Sequence, residues 1–317
     1  MPKDPNYGFI ALTTRRKFIK NSLLVGAAGI IPGRSLGNWI IAEQTVLPSV
    51  NHPLTHNSPK HKISLLVLHT NDFHSRLEPF PSNHSQAGKG GIRNLGSLIR
   101  QKKTEADNVL LLDCGDVFQG TPYFNFFGGK IEFEWMSMLN YHASTMGNHD
   151  FDNGIDHLAR MLEQHAKFPM VNCNYDLSNT PLNNLVKPYR IVEIAGKKIG
   201  ITGIGINPDN LIVERLIPGL VYSDPILPLQ NTVNHLRKIE YCDAVFVLSH
   251  LGYQYNSDKI DDIKLAERTH GIDAIMGGHT HTFLEQPSLV KNIKGEIVLV
   301  NQAHWAGLML GQMQFNV

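Results

Sequence analysis

Cysteine is nearly missing from this sequence: Cys114, Cys173 and Cys242 are the 3 thiols in 317 residues. Thiols so few and so scattered exclude a disulfide framework and a thiolate zinc cage. A surplus of either charge is also lacking. Lys plus Arg number 29 against 28 Asp plus Glu, a net charge of +1, so no basic field marks a nucleic-acid binder. Long apolar runs are missing too. The run from Ser22 to Ile31 is too short to span a bilayer as an ordinary helix. No internal repeat is present. What remains is a globular composition, 42% hydrophobic and 18% charged, with length for one large domain or two ordinary ones. Histidine is abundant, with 16 copies, and neutral imidazole is the commonest metal ligand.

Residues 1–60 read as a leader and linker. Arg15, Arg16, Lys17 and Lys20 precede the short apolar run, the layout of an export signal. The string from Thr14 to Lys20, TRRKFIK, resembles the twin-arginine signal. That resemblance implies a periplasmic or otherwise extracytoplasmic protein, exported folded, with no stable membrane span in its mature form. Residues 42–61, rich in Pro, Asn, Ser and His, read as the linker.

From residue 61 onward, strands alternate with helices. KISLLVLHT, NVLLLDCGD, DAVFVLSH, DAIMGGHTH, EIVLVNQ and LMLGQMQF read as strands, most as continuous apolar runs buried on both faces. PMVNCNYD reads as a short strand, and YRIVEIAGKKIGITGIG as a hairpin. GGIRNLGSLIRQKKTEA, IEFEWMSMLNY, IDHLARMLEQHA and residues 225–241 carry helical spacing. The pattern predicts an α/β fold with mixed sheets over residues 61–317.

Polar clusters recur where buried strands end: Asp72 with His74, Asp116, Asn148 with His149, His250, and His279 with His281. In α/β proteins, sites gather at the carboxyl ends of strands. Singly, each cluster has a plain structural reading. Asp before glycine is a turn former, His250 fits a core histidine, and Asn148 or Asp152 could cap the helix from Ile155. Together, D-x-H, G-D, G-N-H-D, a lone H and G-H-x-H follow one another in an order that chance does not produce.

In that order the motifs resemble the calcineurin-like metallophosphoesterases. The fuller strings LHTNDFHSRL, GGIRNLGSLI, LLLDCGDVFQGTP, MSMLNYHASTMGNHDFDNG, VLSHLGY and DAIMGGHTHTFLEQP are similar to the N-terminal catalytic domain of 5'-nucleotidases. The resemblance runs from about Ile63 to Val317. It implies a four-layer α/β/β/α sandwich and two divalent metal ions, Mn, Zn, Fe or Co. It implies that Asp72, His74, Asp116 and His281 hold one ion, and that Asp116, Asn148, His250 and His279 hold the other. It implies a catalytic pair, His149 oriented by Asp152, and hydrolysis of phosphate monoesters by a metal-bridged hydroxide. Asp150 replaces a glutamate often found there and receives no role.

The second, base-binding domain of long 5'-nucleotidases has no counterpart up to Val317, so a separately encoded nucleotide-binding domain is a candidate partner. The substrate expected is a small phosphate ester, first of all a nucleotide. Thiosulfohydrolases and cyclic-nucleotide phosphodiesterases are the alternatives. The chain could also be the catalytic half of a split 5'-nucleotidase. Phe124, Phe126 and Phe127 are expected in the core rather than around the site, and Cys114 as a buried small residue.

Overall fold

KISLLVLHT is apolar at nearly every position, and such a strand is stable only with both faces covered. It forms β1 (Ser64–Thr70), buried at every residue after Ser64, in the computed structural model, which describes residues 62–317. The leader and linker expected over residues 1–60 lie outside the described residues. The strands that follow are β2 (Val109–Asp113), β3 (Ala143–Ser144), β4 (Met170–Val171), β5 (Tyr175–Asp176), β6 (Val186–Lys187) and β7 (Tyr189–Ile194). Then come β8 (Lys197–Ile204), β9 (Val221–Tyr222), β10 (Ala244–Ser249), β11 (Ala274–Gly277), β12 (Ser288–Lys291), β13 (Ile297–Gln302) and β14 (Gly311–Asn316). The helices are α1 (Ile92–Glu105), α2 (Pro122–Phe127), α3 (Lys130–Met138), α4 (Ile155–His165), α5 (Ile226–Lys238) and α6 (Asp262–Arg268).

Two 6-stranded sheets form, in the orders β14-β1-β2-β3-β4-β6 and β12-β13-β11-β10-β8-β7, while β5 and β9 pair apart. Alternation along the strands sends side chains to two different cores. Leu65, Val67, Leu110 and Leu112 of the first sheet meet Ile199, Ile201, Phe246, Leu248 and Met276 of the second. On the outer face of the first sheet, Leu66, Leu68 and Leu111 share a core with Leu95 and Ile99 of α1 and Leu158 and Leu162 of α4. On the outer face of the second, Val245, Val247 and Ile275 pack with Leu229 and Val233 of α5 and Leu265 of α6. Each fully buried aliphatic side chain contributes about 1.5–3 kcal/mol relative to exposure. The result is the α/β/β/α sandwich that the motif resemblance implies. Among the described residues, no helix is long and apolar enough to cross a membrane.

Register explains where the polar clusters land. β1, β2 and β3 are parallel, with Thr70 opposite Asp113 and Asp113 opposite Ser144. Their carboxyl ends are therefore level, and Asp72, His74, Asp116 and Asn148 emerge from one edge. In the second sheet, Ser249 lies opposite Ile204, Leu248 opposite Met276 and Gly277 opposite Gln302. That alignment delivers His250, His279 and His281 to a second edge.

Several local expectations differ from the fold. PMVNCNYD is split: Met170–Val171 joins the first sheet and Tyr175–Asp176 pairs with β9. Only Gly311–Asn316 of LMLGQMQF and its neighbourhood is strand. DAIMGGHTH is strand only to Gly277, so His279 and His281 belong to the loop beyond it. Phe126 and Phe127 are not in the core. They are 81% and 48% exposed, because the short helix α2 turns only Phe124 inward.

Candidate metal centre

The loops that carry the candidate ligands leave the strands through unusual backbone. Asp72, His74, Asp116, His279 and His281 have φ of 50°, 52°, 54°, 75° and 51°. Left-handed conformations are costly for residues other than glycine, and they gather at functional sites. Glycine makes room. A Cβ at Gly147 would fall 2.1 Å from Asp116 Oδ1, and one at Gly278 would fall 2.9 Å from His250 Nδ1.

Two groups of donors result, Asp72 with His74 and His281, and Asp116 with His250 and His279; the ligand atoms within each lie within 4.8 Å of one another. In the first, His74 Nε2 and His281 Nε2 are 3.0 Å apart, and His281 Nε2 is 3.3 Å from Asp72 Oδ1. In the second, His250 Nε2 is 3.0 Å from Asp116 Oδ2. Asn148 Oδ1 and His279 Nδ1 face each other at 2.9 Å. Asp116 stands between the groups, since its Oδ2 is also 3.9 Å from His74 Nε2. The supporting bonds hold these side chains in place. His250 Nδ1 donates to the Cys114 carbonyl at 2.6 Å, and the His279 N–H donates to the Asp72 carboxylate at 2.9 Å.

His149 belongs to neither group. Its backbone N–H donates to Asp116 Oδ1 at 2.8 Å, and its Nδ1 meets Asp152 Oδ2 at 3.0 Å. The hydrogen bond with Asp152 raises the His149 pKa, outweighing the opposing effect of burial. The helix from Ile155 is not capped by Asn148 or Asp152. Gly154 occupies its N-cap, without a side-chain hydrogen bond, and both polar side chains are turned to the site instead.

The electrostatics of the donor set fit a metal. Burial pulls the fully buried His250 imidazole down, yet Asp116 and then Asp72 outweigh it and raise the pKa to about 10. His250 Nε2, completely buried, has no hydrogen-bond partner of acceptable geometry. A buried imidazole drawn to carboxylates without a proper bond is a place where positive charge belongs. Carboxylate, amide and imidazole ligands without thiolate suit Mn, Zn, Fe or Co.

Residues 65–283 match the model of the calcineurin-like phosphoesterase family. The chain belongs to that family. It is 32% identical over 272 residues to snake venom 5'-nucleotidase of Crotalus adamanteus, which covers 78% of this chain and 44% of that protein. It is 31% identical over 271 residues to 5'-nucleotidase of Rattus norvegicus, covering 79% of this chain and 46% of the relative. Among solved structures, the 5'-nucleotidase precursor from Thermus thermophilus superposes with a TM-score of 0.71 at 36% identity, covering 80% of this chain and 51% of that one. The chain thus spans less than half the length of the curated relatives, at 44% and 46%. Calcineurin-like phosphoesterases use a dinuclear metal centre, and the two donor groups here provide for one.

Within this calcineurin-like site, Asp150, to which the sequence assigns no role, has a structural one. Asp150 is buried and accepts backbone N–H groups from Gly147 at 2.8 Å, Asp116 at 3.0 Å, Val117 at 3.0 Å and Phe118 at 3.2 Å. It ties the loop after β2 to the loop after β3, the two loops that carry Asp116, Asn148 and His149. Burial, and then the nearby Asp116 charge, push the Asp150 carboxyl up to about 7, while the Gly147 N–H opposes them. Cations at Asp116 would cancel the second of those pushes. The signal available in the sequence was an acid next to glycine-rich turns, whose free N–H groups need an acceptor. Asn71 was passed over in the sequence: its Nδ2 donates to Asp72 Oδ2 and to the His304 carbonyl, both at 2.6 Å. Cys114 is the buried small residue expected, with its thiol donating to the Met276 carbonyl at 3.2 Å.

Proposed function

We propose that this chain is an exported, 5'-nucleotidase-like phosphohydrolase that cleaves phosphate monoesters, nucleotides first among them. One observation carries the reading. The donors of two metal sites converge around Asp116, while His149 stands beside them, held by Asp152 and outside both groups. In this reading Asp72, His74, Asp116 and His281 hold one divalent ion, and Asp116, Asn148, His250 and His279 hold the other. Bound there, two divalent ions supply Lewis-acid charge and make water more acidic. With two carboxylates among the ligands, about +2 of charge is left to attract a phosphate dianion. Asp152 occupies Nδ1 of His149, which leaves Nε2 to meet a phosphoryl or leaving-group oxygen.

The relatives' names support the substrate class. The test is a turnover screen of the purified chain with Mn²⁺ or Zn²⁺. The substrates are AMP, other nucleoside monophosphates, cyclic nucleotides, sugar phosphates, thiosulfonate esters and p-nitrophenyl phosphate. Monoesters should turn over, and p-nitrophenyl phosphate should be cleaved comparably to AMP. Every tenfold preference among bases needs about 1.4 kcal/mol of differential binding, which the dimetal site, reading phosphate alone, does not supply. Turnover confined to cyclic nucleotides or thiosulfonates would replace this reading. A hundredfold preference for one base would place a base reader on these loops.

Export by the twin-arginine route is proposed from Arg15 and Arg16, which lie outside the described residues. Arg15→Lys with Arg16→Lys should leave precursor in the cytoplasm, as followed by fractionation. Undiminished export would point to the general secretory route instead.

A further inference from the structure

The two donor groups differ in what packs against their histidines: Trp305 meets the rings of His281 and His74, while His279 has its Nδ1 against Asn148 Oδ1 at 2.9 Å and no hydrogen-bond partner on Nε2 among the described residues. Metal-binding histidines ordinarily have their second ring nitrogen hydrogen-bonded, which fixes the ring's orientation. His250 follows that rule through the Cys114 carbonyl at 2.6 Å. His74 and His281 do not: their Nε2 atoms face each other at 3.0 Å, and neither Nδ1 has a hydrogen-bond partner among the described residues. His281 also has a 36% exposed side chain, whereas His250 is fully buried. An imidazole this exposed, tethered at Nε2 alone, needs further contacts to fix the plane of its ring.

Trp305 packs directly against it. Its ring stacks on His281 with centroids 5.2 Å apart and planes 2° from parallel. It also meets His74 edge-on, at 6.3 Å and 68°. Buried Phe80 backs the indole at 5.6 Å. By contrast, the aromatic-ring contacts of His250 and His279 among the described residues are with each other alone, at 5.4 Å. The segment that carries the indole is fastened on both sides. The Ala303 N–H donates to Asn71 Oδ1 at 2.8 Å, and the Ala306 N–H donates to the Asp72 carbonyl at 2.8 Å. His304 Nδ1 donates to the His281 carbonyl at 2.9 Å. His304 and Ala306, on either side of the tryptophan, have φ of 61° and 55°. Strained backbone of this kind persists where the surroundings over-determine it. Here those surroundings are the very segments that carry Asp72 and His281.

We propose that Trp305 is a positioning residue for the Asp72–His74–His281 site alone, replacing by ring stacking the hydrogen bonds its two histidines lack. The inference rests on the ligand assignment proposed above. Removing Trp305 should therefore weaken one metal site and spare the other, a selectivity that general loosening of the fold does not produce.

The full chain, stripped with chelator, is titrated calorimetrically with Mn²⁺ or Zn²⁺. Wild type should take up two ions. Trp305→Ala should keep one site at unchanged affinity and weaken the other by about 10–100-fold, the range for lost support of a metal ligand. Trp305→Phe, which restores a stacking ring, should recover most of that loss. His281→Ala should strike the same site. Two unchanged sites in Trp305→Ala would overturn the inference while leaving the ligand assignment standing. Equal weakening of both sites, or no recovery with phenylalanine, would also overturn it. Two unchanged sites in His281→Ala would bring down the assignment and the inference together.

Discussion

Replacing Asp116 with alanine is expected to empty both metal sites and abolish hydrolysis. The expectation rests on the place of its carboxylate. One oxygen lies 3.0 Å from His250 Nε2 in one donor group and 3.9 Å from His74 Nε2 in the other. The second oxygen accepts the His149 N–H at 2.8 Å, so the same side chain also anchors the turn that carries His149. No neighbour can take over its role. Gly147 lies against it, and the neighbouring carboxylate of Asp150 is already occupied by four backbone donors. Elemental analysis of the metal-loaded variant should approach zero ions per chain, with turnover at background. His281→Ala should lose a single ion. An Asp116→Ala protein that turns over substrate near the wild-type rate would sink the shared-ligand arrangement.

His149→Ala should behave differently, losing roughly 10²–10⁴ in kcat, the range for a positioned proton donor, while keeping its metals. His149 is outside both donor groups, and its Nδ1 is taken up by Asp152 at 3.0 Å. Asp152→Asn should lose less, because an amide can still orient the ring though it supports the charge less well. Paired measurements of metal content and kcat on each variant decide the matter. Metal content falling in His149→Ala as sharply as in His279→Ala would move His149 among the ligands and leave the proton-donor role without a residue.

Much of this architecture could be read from the chain because its central strands are buried on both faces. β1, β2, β10 and β11 are runs of aliphatic residues with almost no exposed position, and a chemistry-bearing residue after such a run has one place to go. The ligand candidates Asp72, His74, Asp116, Asn148, His250, His279 and His281 were visible for that reason. Other features left weaker traces. β3, β4 and β6 are two residues long, too short to set up any alternation. Phe126 reads like a core aromatic, but whether it is buried depends on which way the six-residue helix α2 faces. Asp150 left only the trace of an acid among glycine-rich turns, because its partners are main-chain N–H groups, which carry no residue identity and are gathered by tertiary folding. Nothing in the sequence marks Trp305, since its contact with His281 depends on the turn that places it.

The left-handed backbone at Asp72, His74, Asp116, His279 and His281 narrows what those positions can become. Outside glycine, aspartate, asparagine and histidine are the residues most at ease in that conformation. Those are also short-armed donors of oxygen and nitrogen to a divalent ion. Glutamate, with the same charge, would need one more methylene of space and fits the conformation less readily. A β-branched residue would meet a penalty of about 1–2 kcal/mol from the backbone alone. The substitutions open to these sites are therefore limited twice, by ligand chemistry and by main-chain geometry. Drift from one metal preference to another is then confined to the few side chains that satisfy both.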